Sequence, residues 1–382
     1  MPRLLLLVFL LSVAYRAAAT TQADAQSCSS PVNFQGPTQP ASETIYFVSN
    51  RDGQGQAFGS ELGQPRYGAV TVEFKEDQPH SFFDGMEGVL EWKTSAPRLM
   101  AESLWSSQIS AQVNAGRPVG GMRPSDSVVV YIHGFANEFH DALCRAAEMK
   151  HRTRFEGQLV LYSWPASSGI TASNFLFAGE KYDHDLDNAL ASVAELVDFL
   201  NLLRRQIPAR RIVLVAHSMG AELLLRALGG VHLDAGDRYR AVVLLAPDVS
   251  QNDLLSALPA LSRQAGRLAI YVNKNDLALM LSTARHLDRR AGATEVIDPS
   301  GKMETIDITL ATSERGSTLH HADHLDGTAL YDLFWNIVRD MPAKCRTERG
   351  LAYRDGPVWR LNVQDVPYDA KSLDSDCDLK LR

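Results

Sequence analysis

The chain has 382 residues, of which 45% are hydrophobic and 22% are charged. This ordinary globular composition supplies ample apolar material for a core and fits one large domain with extensions as well as two domains. The formal net charge is −7 and no basic block stands out, which excludes nucleic acid and anionic membrane surfaces as expected partners.

The first nineteen residues have the pattern of a cleaved signal peptide. Arg3 supplies a positive charge, residues 4–13 are almost purely apolar, and residues 17–19 or 23–25 offer a small-x-small cleavage site. The apolar run is too short to span a bilayer comfortably. We therefore expect an exported protein, periplasmic or secreted, with no stable membrane span after processing.

Export bears on the four cysteines, because disulfides persist in oxidising compartments. Cys345 and Cys377 both lie near the C-terminus, and we expect a bridge between them. Cys144 lies in a predicted buried helix, where we expect a free core thiol. The other pairings, including those of Cys28, stay open at this point.

Residues 20–42 are rich in Ser, Thr, Gln, Pro and Ala and predict a flexible leader. Beyond them, hydrophobic periodicity separates strands from helices, and the alternation becomes regular from residue 127. The predicted strands are residues 45–49, 69–74, 128–132, 159–164, 212–216, 241–246, 268–272 and 305–309. The predicted helices are residues 101–113, 138–152, 186–200, the segment after Ser218, and 329–338.

Continuous apolar strands that alternate with helices predict an α/β fold with a mostly parallel central sheet and helices on both faces. We assign this domain to residues 43–340. Residues 341–382 are polar and contain proline, and we expect this C-terminal extension to wrap the outside, tethered by the predicted disulfide.

The stretch RIVLVAHSMG, residues 211–220, has the pattern of a nucleophile elbow. A strand-like run at residues 212–215 stops at Ala216, and Ser218 is followed by Gly220 and a helix-like segment. The turn strains the serine backbone, so the residues two before and two after it must be small. Glycine is usual at both places, which makes Ala216 a mild departure. The pattern favours Ser218 as a nucleophile over a plain packed turn.

A serine hydroxyl needs a base to take its proton and an acid to orient that base. In α/β-hydrolases they follow in the chain order Ser, Asp or Glu, His, each after a strand. Asp276 directly follows the predicted strand 268–272, at the edge of the sheet where ligand chemistry collects. Asp248, which follows the preceding strand, is the alternative acid.

Three histidines cluster after the last predicted strand, namely His320, His321 and His324. Their position suits the base, but the residues alone do not choose among them. The string HHADH also resembles a metal cluster. It lacks an HExxH frame or paired cysteines, so we expect no metal there.

The oxyanion of an acyl-transfer intermediate needs backbone N–H donors. One donor is expected from Met219, directly after the serine, and the other from Phe135 in the loop that follows strand 128–132. Gly134 lets that loop approach closely. His133 and His217 are interpreted as structural hydrogen-bonding residues, with His217 pointing away from the site.

With these residues in place, the chain resembles the α/β-hydrolase superfamily, and more closely the bacterial "alpha/beta hydrolase of unknown function" family. The similarity covers residues 44–340. Its motifs are IYFVSNR (45–51), Tyr67-Gly68, VVVYIHGFANEFHDA (128–142), LYSWPASSG (161–169), Tyr182 with Asp185, VAHSMG (215–220), LLAPDVS (244–250) and YVNKNDLAL (271–279).

The resemblance also bears on the base. The family's histidine sits in a His-Ser-Tyr segment, five residues before an aspartate. His321 lies five residues before Asp326, so the resemblance implies His321 as the base. Ala322 and Asp323 stand where Ser-Tyr is usual, which keeps His320 and His324 as alternatives.

Together these residues predict a serine hydrolase that acts on a small-molecule or lipid-like carboxylic ester. An amidase or peptidase-type acyl hydrolase and a non-catalytic binding protein of the same fold are the alternatives. No cofactor-binding pattern is present, and we expect no cofactor. Residues 167–178 could form a flap over an acyl pocket or an ordinary packed loop.

Overall fold

The structure is a computed structural model that describes residues 26–32, 42–74, 88–115, 126–153, 155–167, 178–311, 319–325, 327–348 and 350–362. The predicted signal peptide, residues 168–177 of the predicted flap, Asp326 and Cys377 lie outside the described residues. No helix in the described ranges is both long and apolar enough to cross a membrane.

Within these ranges, thirteen strands form one sheet. Its order is β1-β4-β3-β2-β7-β6-β8-β9-β10-β11-β13-β12, with β5 paired to β3. The strands are β1 Gln26–Val32, β2 Ser42–Arg51, β3 Leu62–Phe74, β4 Gly88–Thr94, β5 Arg98–Met100, β6 Val128–Ile132, β7 Gln158–Ser163, β8 Ile212–His217, β9 Tyr239–Leu245, β10 Ala265–Val272, β11 Met303–Asp307, β12 Ala352–Asp355 and β13 Val358–Leu361.

Nine α-helices accompany the sheet in the same ranges. They are α1 Glu102–Ala115, α2 Phe139–Arg152, α3 Gly179–Ala191, α4 Val193–Gln206, α5 Met219–Gly230, α6 Gln251–Gln264, α7 Leu277–His286, α8 Gly327–Asp332 and α9 Cys345–Glu348. Helix α8 continues as π-helix through Leu333–Val338.

The middle of the sheet, from β2 across to β13, is parallel, and antiparallel strands flank it on both sides. The central strands are buried on both faces, since every residue of β6, β8 and β9 is buried. Two apolar cores result, one on each face. The carboxyl ends of β6, β8 and β10 therefore meet at one edge of the sheet, where the loops after them come together.

The predicted helix over residues 186–200 is divided into two. Helix α3 ends at Ala191 and α4 begins at Val193. Between them, the Ser192 hydroxyl donates to the Asn188 carbonyl at 2.7 Å and accepts from the Asn50 side chain at 2.8 Å. The predicted stripe is unevenly buried across this junction, since Leu200 of α4 is buried whereas Leu190 of α3 is exposed.

Both termini of the domain differ from the sequence-based expectation. Residues Gln26–Val32, inside the predicted flexible leader, form β1 and pair with β4. Beyond residue 340, α9, β12 and β13 belong to the fold, and β13 pairs in parallel with β11. The described part of the C-terminal extension thus lengthens the sheet.

Cys144 is not a free thiol, which corrects the expectation from its helix. It is bonded to Cys28 of β1, with the two Cα atoms 5.9 Å apart. The bridge ties the first described strand to α2 across 116 residues. Because Cys377 lies outside the described residues, its predicted pairing with Cys345 stays a prediction.

Candidate active site

Ser218 stands in a strained turn between β8 and α5, with φ 53° and ψ −124°. Only a tightly enclosed turn holds a non-glycine residue in this conformation. A Cβ atom added to Gly220 would lie 2.3 Å from the carbonyl oxygen of His133, whereas Ala216 is accommodated and fully buried. The elbow therefore demands glycine after the serine, and tolerates alanine before it.

Ser218, His321 and Asp276 form one hydrogen-bonded chain. The Ser218 hydroxyl lies 2.8 Å from Nε2 of His321, and Nδ1 of His321 lies 2.7 Å from the Asp276 carboxylate. With Nδ1 protonated, the imidazole donates to the carboxylate and Nε2 accepts from the serine. Asp276 is fully buried, so its charge is little screened by water.

The electrostatic environment favours a protonated His321. Burial alone would lower the pKa of its imidazole, but the Asp276 carboxylate more than offsets this, so the pKa is raised above its usual value of 6.5. Asp248 and Asp323 add to the effect. The imidazole can therefore accept a proton readily, which is what a general base has to do.

Several backbone contacts hold this chain in place. The second carboxylate oxygen of Asp276 accepts from the Leu279 amide at 2.9 Å and caps α7. The Asn273 side chain donates to the His320 carbonyl at 3.0 Å, and the Leu277 amide donates to the Leu319 carbonyl at 3.0 Å. The loop carrying His321 is thus fastened to the end of β10 and the start of α7.

Asp248, the alternative acid, lies in a different network. It accepts from the Tyr182 hydroxyl at 2.8 Å and from the Ser282 hydroxyl at 2.6 Å, and it pairs with Arg290 at 2.9 Å. Its oxygens are therefore engaged by other donors, whereas Asp276 contacts the His321 ring.

The two alternative histidines do not contact Ser218. His320 lies at φ 55° and its Nδ1 is 2.8 Å from the Asp323 carboxylate. His324 is buried, and neither ring nitrogen has a hydrogen-bond partner among the described residues. Burial holds the pKa of His324 well below its usual value, so it is neutral.

His217 does not point away from the site, which corrects the sequence-based interpretation. Its Nε2 lies 3.3 Å from the carbonyl oxygen of His321, to which it can donate. Its ring also lies against the rings of His321 and His324, with centroids 4.8 and 4.5 Å away. The residue before the serine therefore supports the backbone of the loop that carries His321.

The loop expected to supply an oxyanion donor lies directly against the serine. A Cβ on Gly134 would lie 2.8 Å from Cβ of Ser218, so this close approach requires glycine. Phe135 follows in that loop and Met219 opens α5. Both residues thus stand beside Ser218 in the chain segments that flank it.

Two buried residues that sequence reasoning left without a role fasten this loop. The Arg51 guanidinium donates to the Asn137 carbonyl at 2.6 Å and contacts Nε2 of His133 at 3.3 Å. Asp185 accepts from the Ala136 amide at 3.1 Å. Both residues occur in the motifs that carry the family resemblance, and this is the sequence signal that points to a role for them.

His133 is structural, as interpreted from the sequence. Its Nδ1 lies 2.9 Å from the Gly134 carbonyl oxygen, and its ring stacks on Trp164. Burial and the nearby Arg51 charge lower its pKa to about 3. The imidazole is therefore neutral and fixed.

The sequence model of one protein family, described as alpha/beta hydrolase of unknown function (DUF900), matches residues 117–337, more than half of the chain. The chain belongs to this family. Membership and the mostly parallel sheet with helices confirm both the resemblance and the predicted α/β-hydrolase fold.

No curated protein matches the chain. Among solved structures, it is similar to the ydeN gene product from B. subtilis, with a TM-score of 0.27 and 19% identity over 39% of this chain and 73% of that one. TT1662 from Thermus thermophilus gives a TM-score of 0.29 and 15% identity over 47% and 79%. Inhibited esterase B from Lactobacillus rhamnosis gives a TM-score of 0.25 and 12% identity over 66% of this chain and 80% of that one. At these scores the three likenesses carry no argument about activity.

Proposed function

We propose that this family member is an exported serine hydrolase that cleaves carboxylic esters through an acyl-enzyme on Ser218. The observation that carries the proposal is the continuous chain from the Ser218 hydroxyl through His321 to the buried Asp276 carboxylate, with both contacts below 3 Å. Nucleophile, base and orienting acid in hydrogen-bond reach are what acyl transfer by a serine requires.

In the first half-reaction, His321 Nε2 takes the hydroxyl proton as Ser218 Oγ attacks the ester carbonyl. Asp276 keeps the imidazole in the tautomer that accepts at Nε2 and stabilises the imidazolium that forms. The imidazolium then returns the proton to the leaving alkoxide, and the acyl group remains on Ser218. In the second half, His321 removes a proton from water as the water oxygen attacks the acyl carbonyl. The imidazolium then returns the proton to Ser218 Oγ as the acyl–Oγ bond breaks, which releases the carboxylic acid and the free serine.

The tetrahedral intermediate in each half carries a negative charge on the former carbonyl oxygen. The backbone N–H groups of Met219 and Phe135 are the proposed donors to it. Loss of one such donor costs about 3 kcal/mol of transition-state stabilisation. Gly134 supports this role because its lack of a Cβ lets the loop reach Ser218.

Export is supported by the signal-peptide pattern of residues 1–19 and by the Cys28–Cys144 bridge. Disulfides persist mainly in oxidising compartments. The proposed location of the mature protein is therefore the periplasm or the outside of the cell.

A fluorophosphonate probe tests the nucleophile, because it phosphonylates only activated serines. We expect the wild type to be labelled and Ser218→Ala not to be. Unlabelled wild type, or equal labelling of both, would refute the proposal. Nitrophenyl esters of short and medium chain length, compared with the matching nitroanilides, then separate an esterase from an amidase.

The choice of base is tested by a matched pair of adjacent residues. His321→Ala should lower ester turnover by about a million-fold, as loss of a triad base does elsewhere. His320→Ala, whose ring contacts Asp323 instead, should stay within about tenfold of wild type. Full activity in His321→Ala would show that another residue is the base.

A further inference from the structure

Cys28, His140 and Cys144 bring one imidazole and two sulfurs together where β1 crosses α2. Nε2 of His140 lies 3.3 Å from Sγ of Cys144 and 3.7 Å from Sγ of Cys28. All three potential ligand atoms lie within 4.8 Å of one another. His140 and Cys144 are four residues apart on one helix, so both side chains point to the same side.

The imidazole distances match the edges of a zinc tetrahedron. Zinc binds thiolate sulfur at about 2.3 Å and imidazole nitrogen at about 2.0–2.1 Å, which places sulfur and nitrogen about 3.6 Å apart at the tetrahedral angle. The two observed nitrogen–sulfur distances lie on either side of this value. A disulfide by itself needs no imidazole in contact with both of its sulfurs.

We propose that reduction of the Cys28–Cys144 bridge converts this cluster into a Cys₂His zinc site. A dithiol reductant supplies two electrons and two protons, becomes a disulfide itself, and leaves two thiols. Each thiol loses its proton on binding Zn²⁺, and neutral His140 gives the Nε2 lone pair. His140 is only partly buried, so water reaches the fourth position.

The local structure needs only a small adjustment to replace the disulfide by a zinc ion. The sulfurs must separate to about 3.8 Å, the sulfur–sulfur edge of such a tetrahedron. The Cα atoms are 5.9 Å apart, so rotation about the Cα–Cβ bonds can supply this separation. His140 Nε2 must also give up its 3.4 Å contact with the Ser27 carbonyl oxygen.

Proton placement sets the expected affinity. Metal binding at Nε2 puts the proton of His140 on Nδ1, which is buried without a partner among the described residues. Loss of a hydrogen-bond partner on that nitrogen typically lowers metal affinity by about 10- to 100-fold. The affinity of this site for zinc should be lower by such a factor than that of a site whose histidine has this partner. We therefore expect an exchangeable site rather than a permanent structural one.

Either state ties β1 to the helix that follows the loop around Phe135. The covalent bridge does so under oxidising conditions, and the metal does so after reduction. The reduced, metal-free protein loses this tether, and it should melt at a lower temperature than either of the other two forms.

Cobalt(II) is the probe, because thiolate ligation gives charge-transfer absorption in the near ultraviolet and tetrahedral geometry gives intense visible bands. The reduced wild-type protein should bind one equivalent at this cluster, and added Zn²⁺ should bleach the bands. His140→Gln and Cys28→Ser retain Cys345 and Cys377, so any cobalt held there would persist in both variants. His151→Gln, on the last turn of the same helix, should bind as wild type does.

The proposal fails if the reduced wild type shows no such bands, or if both His140→Gln and Cys28→Ser keep them unchanged. Loss of the bands in Cys28→Ser but not in His140→Gln would reject the imidazole ligand. In the oxidised state, His140→Gln should form the bridge and melt like the wild type, which shows that its fold is intact. The test measures neither ester turnover nor fluorophosphonate labelling, so its outcome does not depend on the proposed hydrolase activity.

Discussion

The carboxylate of Asp185 accepts a hydrogen bond from the backbone N–H of Ala136, 3.1 Å away. Its other oxygen accepts from the amide and hydroxyl of Ser167, at 2.7 and 2.5 Å. Asp185 is fully buried, and Ala136 has a positive φ of 56°. One carboxylate on α3 therefore fixes both the segment after β7 and the loop around Phe135, and that loop approaches the serine at Gly134.

Asp185→Asn should lower kcat for a soluble nitrophenyl ester, by as much as about 100-fold, with little change in KM. An amide offers one acceptor oxygen where the carboxylate offers two, so the loop that holds the proposed Phe135 donor loosens. Asp183→Asn is the matched control, since Asp183 is exposed and pairs with Arg285. Equal kcat in the two variants would contradict a role for Asp185 in positioning the loop.

Two glycines of α5 should respond in opposite ways to alanine. In Gly220→Ala, the new Cβ meets the His133 carbonyl oxygen at 2.3 Å, so β6 and α5 must separate, at a cost of about 1–3 kcal/mol in unfolding free energy. In Gly229→Ala nothing lies within 4 Å, and a gain of about 0.5–1 kcal/mol is expected. Urea denaturation measures both. The prediction is wrong if Gly220→Ala is as stable as the wild type.

Asp276→Asn should change the pH profile of ester hydrolysis as well as its rate. In the proposed mechanism hydrolysis requires neutral His321, whose pKa lies above 6.5 because Asp276 outweighs the effect of burial. Activity of the wild type should therefore fall as the pH drops through a value above 6.5. Without the carboxylate the pKa falls, so the acidic limb should move to lower pH.

The same substitution should reduce kcat by about 10⁴-fold, because asparagine favours the wrong imidazole tautomer. Asp248→Asn is the comparison. Asp248 is a smaller contributor to the raised pKa of His321 and does not contact its ring, so the acidic limb should move less. A larger displacement in Asp248→Asn than in Asp276→Asn would assign the orienting acid to Asp248.

His324 should make the fold sensitive to mild acid. Burial, and then the nearby His321, hold its pKa well below 6.5 in the folded protein. The unfolded chain takes up a proton near pH 6.5 that the folded chain does not, so stability falls as the pH drops below about 6.5. Burial lowers the pKa of His133 and His217 in the same direction.

His324→Phe should remove one of the protons that the chain takes up when it unfolds below pH 6.5. The fall in unfolding free energy below pH 6.5 should become shallower by up to about 1.4 kcal/mol per pH unit. Urea denaturation at several pH values between 7 and 5 measures how steeply the unfolding free energy depends on pH. Because the packing effect of phenylalanine is the same at every pH, it does not change this slope. Exposed His232→Gln is the control and should keep the wild-type slope. An unchanged slope in His324→Phe would mean that this histidine is protonated in the fold.

The central strands could be predicted from the sequence because burial on both faces leaves a continuous apolar run. Residues 128–132 were predicted with the bounds that β6 has in the structure. The peripheral strands β1, β4, β12 and β13 were not predicted. Their side chains carry little pattern of their own. β1 pairs with β4 and β13 pairs with β11, partners that lie far away in the chain, and β12 joins the sheet through its hairpin with β13.

The sequence by itself determined the class of fold, the elbow around Ser218 and the order in which an acid and a base follow it. Those features are local, since strand pattern, turn chemistry and chain order are written along the chain. Only the tertiary structure decided which acid contacts which histidine, that Arg51 and Asp185 fasten the loop beside the serine, and that Cys28 bonds to Cys144. Each of these contacts joins residues 45 or more positions apart, and their distances depend on how the sheet brings its strand ends together.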